Sequence, residues 1–308
     1  MSTPAALPDT ARPDLADPAT LAEIGGIELV AEAVVSGFLM GLHRSPKRGF
    51  SAEFAESRQY RPGDDTRYLD WRMFGRTDRY FVKQFQEETN LRAELVVDAS
   101  ASMEWSSDPS RLPAKLWYAS HLGACISLIL LRQGDAVGSI AFSDRVTSRI
   151  RARGGRRQWR EITLALSGLR GGGGSGAEGA LRDVARRLHK SGMVVLISDL
   201  LVDAEETIDA CRFLRHRGHE VIVFHVMDPG ERDLPASSEA KFVDPETGKE
   251  SVVNVADLRA EYRTAVEDAV AEWRRAFGPF GIDYHLVGTD EPLATALRAA
   301  LVKRERLG

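Results

Sequence analysis

Cysteine is scarce in this chain. There are two in 308 residues, Cys125 and Cys211, both in helix-like stretches and outside any CxxC or Cys/His pattern. That excludes a disulfide scaffold, argues against a zinc site and fits a reducing compartment. An excess of charge of one sign is also missing. A formal net charge of −4 on a chain that is 28% charged gives no general reason to expect nucleic acid or an anionic membrane as partner. Long hydrophobic runs are absent too: the longest, LGACISLILL at 122–131, is about half of the roughly 20 residues that a spanning helix needs. The opening MSTPAALPDTARPDLADPAT has neither a basic stretch nor an apolar segment, so it does not read as a secretory signal. Its Pro, Ala, Asp and Thr content predicts a disordered leader over 1–19. The expected location is cytoplasmic, with no integral membrane segment.

The usual catalytic signatures are missing as well. No G-x-S-x-G or H-E-x-x-H pattern occurs, and the seven histidines are scattered. His121, His189 and His216 fall in predicted helices without metal-ligand spacing, and His225 and His285 fall in predicted strands. The glycine-rich GGGGSGAEG (171–179) lacks the lysine with which a phosphate-binding loop reaches its nucleotide, and reads as a flexible loop. No catalytic residue and no ATP hydrolysis is expected.

What is present is a change of pattern near residue 93. Before it, apolar spacing predicts a helix from Leu21 to about His43. A polar, Arg- and aromatic-rich segment follows, with turn signals RSPKRG and RPGDD and an alternating stretch, RYFVKQFQEE (79–88), that reads as half of a hairpin. Residues 20–92 are therefore expected to form a helix and a β-rich accessory segment. From 93 to 304, near-continuous apolar strands alternate with amphipathic helices. The strands are AELVVD (93–98), DAVGSIAF (135–142), GMVVLISD (192–199), HEVIVFHVMD (219–228) and GIDYHLVGT (281–289). Helices are predicted near 113–132, 155–168, 178–190, 203–216, 256–276 and 291–304. FSDR followed by VTSRIRA (146–152) predicts one antiparallel edge strand, and 229–254 a hairpin insertion. This is a doubly wound α/β domain with a mostly parallel sheet covered on both faces.

In such sheets ligands gather beyond the carboxyl ends of the strands. Three loops there carry hard oxygen groups: Asp98, Ser100 and Ser102 in DASAS, Ser175 in the glycine-rich loop, and Asp199 closing MVVLISD. Two chemistries fit. Serine and aspartate are favoured helix caps, and oxygen donors of this kind suit Mg²⁺, which prefers octahedral oxygen coordination. The three loops together favour the metal. Neutral hydroxyls would leave the ion short of negative charge, so that a partner's carboxylate completes its shell.

Asp98, Ser100 and Ser102 match the D-x-S-x-S signature of the metal-ion-dependent adhesion site of von Willebrand factor A domains, which the order of elements from 93 to 304 resembles. The preceding segment, GFSAEFAESRQYRPGDDTRYLDWRMFGRTDRYFVKQFQEE (49–88), resembles the hallmark block of the domain of unknown function 58 family. The matching residues are Arg58, Tyr60, Pro62, Gly63, Asp64, Asp65, Arg67, Asp70 and Trp71. The resemblance implies that Ser100 and Ser102 coordinate a divalent cation directly, Mg²⁺ first with Mn²⁺ or Ca²⁺ as alternatives. Asp98 and Asp199 would act through water. Ser175 stands where the family has a threonine often followed by Asp, and here Gly176 follows. The resemblance further implies a non-enzymatic protein-interaction module, an adaptor that works with a MoxR-type AAA+ ATPase on an unknown client protein in assembly or remodelling.

Two other features compete for attention. RPGDDTRYLDWR (61–72) sets Arg61, Arg67, Trp71 and Arg72 among acids, either as a partner surface or as ion pairs around a turn. RIRARGGRRQWR (149–160) gathers six arginines, including Arg156 and Arg157, around Trp159. It reads either as a charged edge strand and helix start or as a surface for an acidic partner. Two further functions stay open: a metal-dependent phosphoester hydrolase, and a nucleic-acid module built on the Arg149–Arg160 cluster.

Overall fold

The computed structural model describes residues 17–43, 57–60, 69, 71–83, 91–173, 178–188, 190–234, 239–243 and 250–304. Helix α1 (Pro18–Ile24) starts where Pro18 takes a position that needs no amide donor and the Asp17 side chain accepts from the amides of Ala19 and Thr20. It ends at Gly25, and α2 (Ile27–His43) follows. The single helix predicted from Leu21 is thus two. Gly25 and Gly26 both have positive φ, 71° and 70°, a conformation that glycine adopts without the Cβ penalty and that breaks the helix. The apolar spacing runs through the break because Leu21, Val30, Ala31, Val34, Val35 and Phe38 are all buried.

The chain divides into two compact units, one of Met1–Phe38 with Leu91–Gly308 and one of Leu39–Asn90. Both N-terminal helices up to Phe38 therefore group with the α/β unit, whereas the expected boundary placed them with the accessory segment. The smaller unit holds β1 (Ser57–Gln59), α3 (Trp71–Thr77) and β2 (Phe81–Lys83), with β1 and β2 paired antiparallel. β2 falls within the stretch expected as half of a hairpin, 79–88, of which 84–88 lie outside the described residues. Helix α3 was not expected from its polar, Arg-rich surroundings. Aromatic contacts organise it: Phe74 stacks on Tyr80 at 4.6 Å, and Tyr80 meets Tyr60 edge-on at 6.3 Å.

The larger unit runs β3 (Arg92–Asp98), a short 3₁₀ turn (Ala101–Glu104), α4 (Lys115–Arg132), β4 (Ala136–Phe142), β5 (Val146–Arg153), α5 (Arg156–Ser167), α6 (Glu178–Arg187), β6 (Met193–Ser198), α7 (Ala204–His216) and β7 (Glu220–Met227). It continues with α8 (Pro229–Arg232), β8 (Glu239–Val243), β9 (Glu250–Asn254), α9 (Val255–Phe277), β10 (Asp283–Gly288) and α10 (Leu293–Arg304). β8 and β9 form the expected antiparallel insertion, which α8 precedes. The main sheet is six-stranded, in the order β10-β7-β6-β3-β4-β5. All neighbours are parallel except β4 and β5. β3, β4, β6 and β7 are buried almost throughout, as strands covered on both faces must be. β5 alternates half-buried with exposed residues, as an edge strand should.

On one face of the sheet Val96, Ile140, Leu196 and Val223 join Val184, Leu214 and Phe277 from α6, α7 and α9 in a single core cluster. The other face meets α4, which packs against α5 and α10. A Cβ at Gly123 of α4 would lie 3.5–3.8 Å from Leu95, Leu166 and Ile197. Strand order reverses between β3 and β6: the chain leaves β3 toward β4, then returns to β6 on its other side. The loops after these two strands part there and open a crevice. Among the described residues no helix is long and apolar enough to cross a membrane.

The close pairing of β3 with β6 makes a specific demand at Gly192, where a Cβ would lie 2.1 Å from the Arg92 carbonyl oxygen. Gly192→Ala is expected to destabilise the protein by about 1–3 kcal/mol, because backbone rather than a mobile side chain must yield. Urea denaturation of the two proteins at one pH measures the difference.

Candidate functional site

Of the residues singled out in the sequence, Asp98, Ser100, Ser102 and Asp199 lie at the ends of β3 and β6, beside the crevice. Asp98 ends β3 with no exposed surface. Its Oδ1 accepts from the Ser100 amide at 2.9 Å and its Oδ2 from the Ser198 hydroxyl at 2.6 Å. Ser198 ends β6, and its oxygen in turn accepts from the Leu200 amide at 3.0 Å. The two strand ends are thereby tied through one carboxylate.

Ser100 occupies the cap position of the 3₁₀ turn, yet its hydroxyl makes no capping hydrogen bond. Instead its Oγ lies 3.1 Å from the Oγ of Ser102, with both residues almost buried. Capping therefore accounts for Asp98, which turns the backbone at Ser100, but not for the paired hydroxyls. Two neighbouring ligands of an octahedral Mg²⁺, each at about 2.1 Å, lie about 3.0 Å apart. The hydroxyl pair has that spacing and fits such an ion.

Asp199 follows β6. Its Oδ1 accepts from the Leu201 amide at 3.2 Å and its Oδ2 from the Lys115 ammonium at 2.8 Å. Between them Leu200 adopts a left-handed backbone, φ 54°, which is rare for a branched residue and marks local strain at this loop. Burial, and after it the charge of Asp199, pushes Asp98 up to about 6. Two carboxylates that repel each other in a buried crevice are an arrangement that a cation relieves.

The glycine-rich segment closes one side. The amide of Gly171 donates to Glu104 at 2.6 Å and that of Gly172 to the Ala99 carbonyl at 3.0 Å. A Cβ at Gly171 would lie 2.2 Å from Glu104 Cγ and 3.0 Å from the Ser100 carbonyl oxygen, so only glycine brings this backbone so near the hydroxyl turn. Read as a flexible loop from its composition, the segment is held at Gly171 and Gly172 by these bonds. Ser175 lies outside the described residues.

Lys115 was not singled out in the sequence. It opens α4 with no exposed surface and donates to both Asp199 and Glu231. Burial alone would lower its pKa, but Asp199 and Glu231 outweigh that and raise it, so it stays an ammonium. Glu231 belongs to a capping box. Its other oxygen accepts from the Asp228 amide at 2.9 Å, while the buried Asp228 side chain accepts from the amides of Gly230 and Ser107 and from the Thr289 hydroxyl. A sequence signal for Lys115 did exist. It is the only Lys, Arg, Asp or Glu between Arg111 and Arg132, and it sits in a first helical turn, where the helix dipole disfavours a cation. Beside this cluster, Asp199, Glu231, His225 and Tyr262 help line a cavity of about 580 Å³, to which α9 adds the apolar Val266, Ala269, Val270, Trp273 and Ala276 together with Glu272.

The arginines of 149–160 lie on β5 and α5. Arg156 and Arg157 start α5, highly exposed, and pair with Glu32 at 3.7 Å and Glu161 at 3.3 Å. Arg149 and Arg151, with Arg92, Arg187 and Lys190, surround a pocket of about 390 Å³ that also holds the buried Glu94. Trp71 and Arg72 are exposed on α3, with Trp71 edge-on to Phe74. Arg61 and Arg67 lie outside the described residues. Among the described residues no group of three His, Cys, Asp or Glu is arranged to hold a metal; the hydroxyl pair is a donor set of a different kind.

Residues 56–272 match the family described as "protein of unknown function DUF58". The uncharacterized protein Rv1480 of Mycobacterium tuberculosis is 31% identical over 246 residues, which cover 78% of this chain and 75% of that relative. Among solved structures, BatB from Bacteroides thetaiotaomicron matches at 15% identity and a TM-score of 0.46, over 71% of this chain and 100% of its own. The von Willebrand factor domain of the pili tip protein Mfa5 from Porphyromonas gingivalis matches at 11% identity and a TM-score of 0.38, over 70% and 97%. The fold description rests on the strand order itself.

The raised pKa of Asp98 has a direct consequence. An unfolded aspartate ionises near 3.8 and this one near 6, so the folded protein holds the extra proton between those values. Stability from this group is fully present below about pH 4 and is lost as pH rises through about 6, an effect on the order of 2–3 kcal/mol. Asp98→Asn, which has no proton to lose, should lack this component. Urea denaturation of both proteins from pH 4 to 7 in metal-free buffer reads it, and equal slopes would refute the assignment.

Proposed function

The chain belongs to the DUF58 family, and from that premise we propose that it is a protein-interaction module that meets its partner at the crevice between β3 and β6, through a divalent cation. The observation that carries this reading is the pair of hydroxyls, Ser100 and Ser102, 3.1 Å apart, with no capping hydrogen bond from the Ser100 side chain. They lie at the end of β3, where the buried carboxylates Asp98 and Asp199 close two neighbouring strands. Ser100 and Ser102 would hold the ion directly. Asp98, fixed by Ser198 and the Ser100 amide, and Asp199 would act on it through water, as carboxylates behind a metal site commonly do. Bound there, a divalent ion offers a strong positive contact to a carboxylate of the partner. Neutral hydroxyl ligands leave that positive charge largely uncancelled, which suits recognition better than permanent sequestration.

The partner we infer is a MoxR-type AAA+ ATPase, with an unknown client protein, in the cytoplasm. This chain would serve as the adaptor in assembly or remodelling. Arg156 and Arg157 would add an acidic-surface contact at the start of α5, because their surface pairs with Glu32 and Glu161 are of a kind that exchanges at little cost. A hydrolase is less well supported. Both oxygens of Asp98 already accept hydrogen bonds. His225 shares its Nδ1 with the Tyr284 hydroxyl at 2.6 Å, and burial lowers it to about 4. Neither is placed as a ready general base.

The test is binding of a purified MoxR-type ATPase to the immobilised chain with Mg²⁺ and with EDTA, for wild type and Ser102→Ala. Binding that weakens by about tenfold or more in EDTA, and likewise in the folded variant with Mg²⁺, supports the reading, since one direct ligand is lost. Equal binding in all four conditions refutes the metal's part in it.

A further inference from the structure

Lys115 lies fully buried, its ammonium bonded to Asp199 and Glu231. Asp199 is the carboxylate at the end of β6 to which a cation in this crevice would be drawn. We propose that Lys115 is a resident competitor for that charge, which holds the divalent-cation affinity of the Ser100–Ser102 site low until a partner's carboxylate completes the shell. The inference rests on the divalent-cation reading above and adds to it how the site is regulated.

The argument is electrostatic and geometric. One oxygen of Asp199 accepts a hydrogen bond from the Lys115 ammonium and the other from the Leu201 amide, so its charge is committed inside the protein. In a buried setting the repulsion between an ammonium and a nearby divalent ion is poorly screened. Lys115 cannot swing away cheaply, because leaving would strand two partly or fully buried carboxylates. Glu231 is fixed in turn by the Asp228 amide. The positive charge is thus built in beside the site.

The test uses the full chain and Mn²⁺ alone. Two variants are compared with wild type: Lys115→Met/Glu231→Gln, and the same pair with Asp199→Asn added. The first removes one positive and one negative charge, so the net charge of the cluster is unchanged and only the competitor is gone. Calorimetric titration is expected to show Mn²⁺ bound about tenfold more tightly, or better, than by wild type, and the triple variant should bind no more tightly than wild type. If wild type and the double variant bind Mn²⁺ equally, the competitor role is overturned and the cation reading stands. If neither binds while both are folded, the cation reading falls and takes this inference with it. If the double variant is unfolded, thermal scans decide. A midpoint recovered by Mn²⁺ supports the proposal, and a variant that stays unfolded whatever the Mn²⁺ overturns it.

Discussion

A lysine ammonium with no exposed surface must be answered by charge, and the functional end of this protein is arranged around that requirement. Lys115 enters from α4, Asp199 from the end of β6 and Glu231 from the turn after β7. Loss of Lys115 would leave two partly or fully buried carboxylates without their counter-charge, a defect of the kind that costs about 3–5 kcal/mol in buried pairs. Asp228 extends the same network to the loop at Ser107 and to Thr289 beyond β10. The ends of four strands are therefore bound into one polar cluster at the point where strand order reverses. The hydroxyl pair at Ser100 and Ser102 sits on that rigid base.

The α/β unit was legible in the sequence because its signal is simple. A strand buried on both faces has to be apolar almost throughout, and VVLIS or VIVFHV can hardly be anything else. The hydroxyl turn was legible for a related reason: polar groups that end a buried strand must have a use. Chemistry left two uses open, and the structure sets Asp98 at the turn and the two hydroxyls beside each other.

The misses have physical causes as well. Apolar spacing over 21–43 shows which face is buried but says nothing about backbone handedness at Gly25 and Gly26, so two helices read as one. Helix α3 is organised by rings that come from Tyr60 and Tyr80, outside its own sequence. Lys115 and Glu231 lie 116 positions apart, and neither announces the other. The start of the glycine run reads as slack until the close approach of Gly171 to Ser100 and Glu104 is seen.

The hydrogen bond from Ser198 to Asp98 spans 100 residues of chain, and the Lys115 pairs span 84 and 116. Contacts so distant in sequence close only after the intervening loops have paid their entropy. The crevice is accordingly a feature of the finished sheet and is absent from any chain in which β3 has paired but β6 has not. A partner that met the chain there, as proposed, would engage only molecules that have completed folding, and contact would double as a reading of maturation.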